Sequence, residues 1–226
     1  MTESYIQTPR RRGHCLFVIR SYNYSVSSDT YRTNLLGAFA TTIATRIDEQ
    51  VAGVGVRGIN AATALVTIRN HPNDSIEVLR RALGLTHSGA VRLINGLEDD
   101  GLVERHRSRD DGRSVVLRLT QQGRARADRV LGARTSVTNK VFDALSTEQR
   151  DALAPIMEAA LEALTQSKDG ARRICRLCDE QVCRPQGCPV EIAAMSCSAT
   201  PSAPTASTQA PARPPLSRAR QGRRRR

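Results

Sequence analysis

Residues 83–123 read LGLTHSGAVRLINGLEDDGLVERHRSRDDGRSVVLRLTQQG, and the fold turns on what this run becomes. Its second half holds two apolar-bearing stretches around an Asp110-Asp111-Gly112 turn, with Arg105, Arg107, Arg109, Arg113 and Arg118 crowded about it. From Ser114 to Thr120 the residues alternate. Val115, Leu117 and Leu119 fall on one face, and Ser114, Val116, Arg118 and Thr120 on the other. Period-two alternation interrupted by Asp-Gly predicts a β-hairpin, because those two residues tolerate the positive φ that a tight turn demands. Such a hairpin has a greasy face to rest on a core and an arginine-rich tip suited to an anion.

The first half of the run predicts a helix. Thr86 is placed as its N-cap, with a hydroxyl to receive free backbone N–H groups of the first turn. At about 100° per residue, Ala90, Leu93, Ile94 and Leu97 share one side. His87, Ser88, Val91, Arg92 and Asn95 take the opposite, polar side. A helix over Ser75–Leu83 precedes it across Gly84-Leu85, and two short helices so joined make a helix-turn-helix. Taken alone, an ordinary helical hairpin with a solvated face reads equally well. The arginine-rich hairpin that follows at once, after Gly101 as a C′ residue, tips the reading toward DNA.

Further out, Leu36, Phe39, Ile43, Ile47 and Val51 stripe one face of a long helix that Gly53 and Gly55 end. Another helix runs from Ile59 to Asn70, stopped by His71-Pro72. After the hairpin, Gln121–Leu145 is helical with Val130, Val137, Val141 and Leu145 aligned. Ser146 to Gln149 is a capping box opening a last long helix, which carries Leu153, Ile156, Met157, Ala160, Leu161 and Leu164 and which Pro155 is expected to bend. Those long stripes exceed what a compact reading unit can cover, so they predict packing against a second copy. The fold class is mainly α (α+β): a winged helix-turn-helix with long N- and C-terminal dimerisation helices.

The chain has 226 residues, a net charge of +12 and 39% apolar residues. The charge sits mostly at the ends. Residues 1–32 hold five basic and two acidic groups, and residues 199–226 hold seven basic and none acidic. Within the body, residues 101–134 carry nine arginines against four acids, the local excess expected of a nucleic-acid footprint. No stretch approaches the ~20 apolar residues of a membrane span. The short run Cys15–Ile19 falls below the ~7–15 residues of a signal peptide, so a cytoplasmic protein is expected. Four regions follow: a disordered leader over 1–31, a DNA-binding and dimerisation domain over 32–167, a cysteine-rich knuckle over 172–192, and a disordered Pro/Ala/Arg tail over 199–226.

Between Leu35 and Thr165, about three fifths of the chain, the sequence resembles the multiple-antibiotic-resistance-regulator (MarR) family of winged-helix transcription factors. The resemblance rests on residues 83–123, which look like that family's recognition helix and wing. It implies an obligate dimer with interdigitated terminal helices, a recognition helix in the major groove and a wing in the adjacent minor groove. Arg113 then matches the family's wing arginine and Asp111 the acid that orients it. The expected DNA-binding set is Thr86, His87, Ser88, Val91, Arg92, Asn95, Arg107, Arg109, Asp111 and Arg113, on a pseudo-palindromic double-stranded operator. Gly89 and Gly96 depart from a good helix, at up to ~1 kcal/mol each relative to Ala, and Val91 on the reading face suits a thymine methyl.

Four of six cysteines are bunched as Cys175-x2-Cys178-x4-Cys183-x4-Cys188. In a reducing compartment such a cluster reads as metal-binding or redox-active rather than as a disulfide framework. Four thiolates complete a closed tetrahedral zinc site, which a loop-rich knuckle with little core needs in order to fold. An iron–sulfur cluster, a reversible thiol switch, or no role at all stay open beside zinc. Cys15, Cys197 and the four histidines read as tail or surface residues, or in the case of His87 as a DNA contact. The leading function is a homodimeric DNA-binding regulator, read as a repressor, answering a small molecule, a metal or a redox signal. Two other classes compete: a metal- or thiol-dependent enzyme centred on the cysteines, and an architectural protein binding DNA without sequence preference. The first lacks a phosphate loop, paired carboxylates or a nucleophile elbow.

Overall fold

The computed structural model describes residues 27–109, 112 and 114–197. The expected leader up to residue 26, Cys15 within it, and the basic tail over 199–226 therefore lie outside the described residues. Two compact units divide the chain, Met1–Arg46 and Ile47–Arg226. Helix α1, Ser28–Ala52, contributes to both and begins four residues before the expected domain start. In the first unit Tyr31, Leu35, Leu36 and Phe39 are all exposed. Of the apolar stripe that the sequence writes into this stretch, Leu36 and Phe39 lie open and Ile43 is half-buried.

The second unit is built around α2, Ile59–Asn70, the span that the sequence predicts. Every residue from Ala61 to Ile68 is buried, as befits a helix whose composition offers no polar face. Around it lie α3 (Ile76–Leu83), α4 (His87–Asp99), the strands β1 (Val103–Arg107) and β2 (Val115–Leu119), and α5 (Gln121–Asp143). The strands pair antiparallel from Val103 opposite Leu119 to Arg107 opposite Val115, as the hairpin pattern predicts. One core joins Leu65 and Ile68 to Leu79, Ile94, Leu97, Leu102 and Leu117. A second, on the other side of α2, gathers Val51, Ala62, Val66, Val130 and Leu131.

The alternation in β2 is not inside-to-outside as expected. Val115 is 43% exposed whereas Val116, assigned to the outer face, is 6% exposed. The reason is an isolated bridge: Ser75 pairs with Val116, and the Asn73 and Asp74 backbones exchange hydrogen bonds with Leu117 at 3.1 and 3.0 Å. The loop after α2 thus closes over β2.

Helix α6 (Thr147–Leu164) opens with the predicted capping box, Ser146 and Gln149 each capping the other's backbone. Its apolar stripe is shared out. Ile156 and Leu164 are exposed, whereas Leu161 packs on Ala171, Val190 and Ala194 of the segment that follows. That segment corrects the expectation of a loop-rich knuckle. It folds into α7 (Lys168–Ile174), a 3₁₀ turn at Cys175–Leu177, a single turn α8 (Glu180–Cys183) and α9 (Pro189–Cys197). Small residues let α7, α9 and α6 approach closely, and Ala171, Val190 and Ala194 form a core of their own there.

Candidate nucleic-acid interface and cysteine pocket

Thr86 caps α4 as predicted, its hydroxyl accepting from the Gly89 N–H at 3.1 Å. The preceding Gly84 sits at φ 66°, ending α3 in the left-handed conformation that glycine adopts without strain. Ala90, Ile94 and Leu97 anchor α4 in the core, which turns the opposite face outward. Thr86, His87, Ser88, Arg92 and Asn95 are exposed there, and Val91 is half-buried beside them. Of the wing residues, Arg107 and Arg109 are exposed at the end of β1, whereas Asp111 and Arg113 lie outside the described residues.

Arg105, one of the arginines around the turn, has a role that the hairpin pattern does not reveal. From the middle of β1 its Nη2 donates to Asn95 Oδ1 at 2.8 Å, and its Nη1 pairs with Glu98. It ties β1 to α4 and fixes which way the Asn95 amide presents itself. A hairpin arginine ten residues downstream carries no local signal that singles out Asn95. Arg57, before α2, pairs likewise with Asp100 at the end of α4 and is otherwise exposed.

The four clustered cysteines line one cavity of about 220 Å³, together with His71 and Glu180. All four are partly buried and none is in a disulfide. The Cys175 thiol hydrogen-bonds to Cys178 and lowers the Cys178 pKa; burial opposes this, and the Arg134 and Arg176 guanidinium groups add to it. Cys175 is raised correspondingly, and Cys183 is raised by burial and by the neighbouring thiolates. Burial also acts to raise Glu180, but the hydrogen bond from His71 and the charges of His71, Arg184 and Arg172 outweigh it and keep the carboxyl below its ordinary range. As they stand, no three Cys, His, Asp or Glu side chains among the described residues converge closely enough to hold an ion. The tetrahedral set predicted from spacing is thus gathered at one cavity without being drawn together.

The MarR family model matches residues 54–114, from the loop before α2 into the hairpin. The transcriptional repressor MprA of Escherichia coli strain K12 is 34% identical over 119 residues, which span 50% of this chain and 68% of MprA. The chain belongs to the MarR family. Solved structures agree on the fold of this MarR core. RV1404 from Mycobacterium tuberculosis superposes with a TM-score of 0.53 at 22% identity, covering 63% of this chain and 98% of its own. FabT from Streptococcus pneumoniae, solved in complex with DNA, gives 0.50 at 22% identity, covering 61% and 97%. Members of the MarR family are transcription regulators rather than enzymes, and this chain is a DNA-binding regulator of that kind. The four cysteines lie beyond the stretch that the MarR family model matches, whereas His71, which lines the same cavity, lies within it.

Proposed function

We propose that the protein is a homodimeric repressor that reads a pseudo-palindromic operator with α4 and steadies itself with the β1–β2 wing. The observation that carries this reading is the exposed row Thr86, His87, Ser88, Arg92 and Asn95 on a helix capped and anchored from behind, with Arg107 and Arg109 exposed alongside. A helix of that build fits a major groove, and arginines on a hairpin fit a narrow, electronegative minor groove or its phosphates. The exposed apolar side chains of α1 and, separately, of α6 suit burial against a second copy. Two reading heads so joined favour half-sites about one turn, ~34–36 Å, apart. MprA is described as a repressor, and FabT was solved with DNA. Both lend support to the same role here. The signal that sets affinity is a small molecule, a metal or an oxidant.

Binding of the full-length chain to genomic fragments, followed by salt titration against the recovered site and a scrambled duplex, tests the reading. A preference of at least about a thousandfold is expected of a specific regulator. Equal affinity for both duplexes with a steep salt slope would instead mark an architectural protein. On the recovered site, Arg92→Ala and Asn95→Ala should relax discrimination at particular base pairs, by about 1–3 kcal/mol each. Arg113→Ala should weaken binding about tenfold, mostly where the minor groove is narrow and A·T-rich. Unchanged binding of Arg113→Ala to every duplex would remove the wing from the interface.

A further inference from the structure

The segment over residues 69–75 is held from two sides. On one side lies the cysteine-bearing segment. Asn70 Nδ2 donates to the Cys178 carbonyl at 2.9 Å, and His71 Nε2 meets Glu180 Oε1 at 2.9 Å. The His71 and Glu180 side chains are only 16% and 13% exposed, so water competes little for that pair. Arg69 reaches Asp179 at 3.2 Å, and Arg172 pairs with Asp74. On the other side lies the wing. Asn73 donates to the Leu117 carbonyl, Leu117 donates to the Asp74 carbonyl, and Arg118 Nε donates to Asn73 Oδ1 at 2.7 Å. A second link bypasses the wing. Arg173 on α7 donates to the Arg81 carbonyl at 3.3 Å, in the last turn of α3, just before the joint that leads to α4.

Seven polar contacts on one short segment, three of them to the wing, are more than holding a terminal appendage requires. Three of the four on the appendage side start from Cys178, Asp179 and Glu180, where the 3₁₀ turn passes into α8, and the fourth starts from Arg172 on α7. The cavity at about 220 Å³ falls below the ~300–1,000 Å³ typical of small organic ligands. It suits an ion. The side chains around it suit a soft cation: four thiols line one cavity, with His71 and Glu180 beside them. We propose that this pocket takes up one thiophilic divalent metal ion such as zinc, ligated by Cys175, Cys178, Cys183 and Cys188, and that the 69–75 loop relays its presence to the wing. The relay rests on the DNA-binding reading above for its purpose, though not for its test. Ligation displaces the remaining thiol protons to solvent and draws the four sulfurs together. The Cys175–Cys178 turn then becomes rigid, and with it the Cys178 carbonyl and the Glu180 carboxylate that grip Asn70 and His71. Ordering the loop in advance leaves less to be ordered when the wing meets DNA, so metal acts as a co-repressor.

The test uses reduced, chelator-treated full-length protein and two readouts. Cobalt(II), later displaced by zinc, should develop thiolate-to-metal charge-transfer absorption that saturates at one ion per subunit and is lost in Cys175→Ser and Cys188→Ser. Amide hydrogen exchange should slow about five- to tenfold at Asn73 and Leu117 on loading, within the ordinary range of coupling between sites. Duplex affinity should rise by a similar factor. His71→Ala should keep the absorption and lose most of the change in exchange. Absence of the cobalt signal overturns the site, most directly if peroxide instead forms a Cys175–Cys178 disulfide. A full cobalt signal with unchanged exchange in the wild-type chain overturns the relay, whatever the variants do. Cobalt uptake and protected amides in a protein that binds no duplex would support the relay and refute the DNA-binding reading.

Discussion

Gly123→Ala should lower stability by about 3 kcal/mol or more, far beyond the ~1 kcal/mol that a helical glycine-to-alanine exchange ordinarily gains. Gly123 lies in the first turn of α5, where Thr120 accepts its N–H at 2.9 Å. A Cβ there would overlap the Leu102 carbonyl oxygen and stand 2.9 Å from the Leu102 carbonyl carbon. The obstacle is backbone, and that backbone is pinned. The Leu102 carbonyl accepts from Thr120 N at 3.1 Å, and the Thr120 hydroxyl donates to the Gly101 carbonyl at 2.7 Å. Relief therefore requires α5 to back away from the root of the wing, opening the core at Leu119 and Ala127. Thermal unfolding of the variant should show a midpoint lower by roughly 10 °C for a domain of this size. An unchanged midpoint would mean that α5 sits farther from β1 than described.

The second large effect concerns assembly. Phe39→Asp on α1 should convert the protein to monomer at micromolar concentration, and Ile156→Asp on α6 should do the same independently. Phe39 is 44% exposed and Ile156 62% exposed, so a charge at either position leaves a single chain intact and penalises only a partner surface. Losing one of two tethered reading heads should cost about a hundredfold or more in affinity for a two-half-site operator, while a half-site duplex is bound as before. Sedimentation equilibrium with both duplexes checks it. Monomeric variants that retain full operator affinity would show that one head suffices.

Most of the reading head can be derived from sequence because its signals are local. Ser75 and Thr86 cap the helices they precede, His71-Pro72 stops α2, and Asp-Gly marks the hairpin. Pattern and structure agree wherever the deciding forces act within a few residues. What pattern could not supply spans long stretches of chain. Asn70 meets the Cys178 carbonyl 108 residues away, and Val116 is buried because Ser75 covers it. Gly123 reads as a weak helix former in sequence, and only the nearness of Leu102 turns it into a requirement. The cysteine segment was underestimated for a related reason. Its alanines look like filler, yet Ala171 and Ala194 form the contact surface with Val190 that seats it on α6.

The link from Arg105 to Asn95 bears on how such a protein could be retuned. A designer wishing to change the operator would exchange the outward residues of α4 and leave the strand alone. Here that graft would arrive without its counterpart: a new side chain at position 95 would face a guanidinium aimed at an amide oxygen, and the strand would redirect it. On the proposed reading of DNA by α4, the unit to exchange is the block from Arg92 to Arg105, helix and strand together. Libraries that vary both ends of that block at once should yield altered operator preference where helix-only libraries stall.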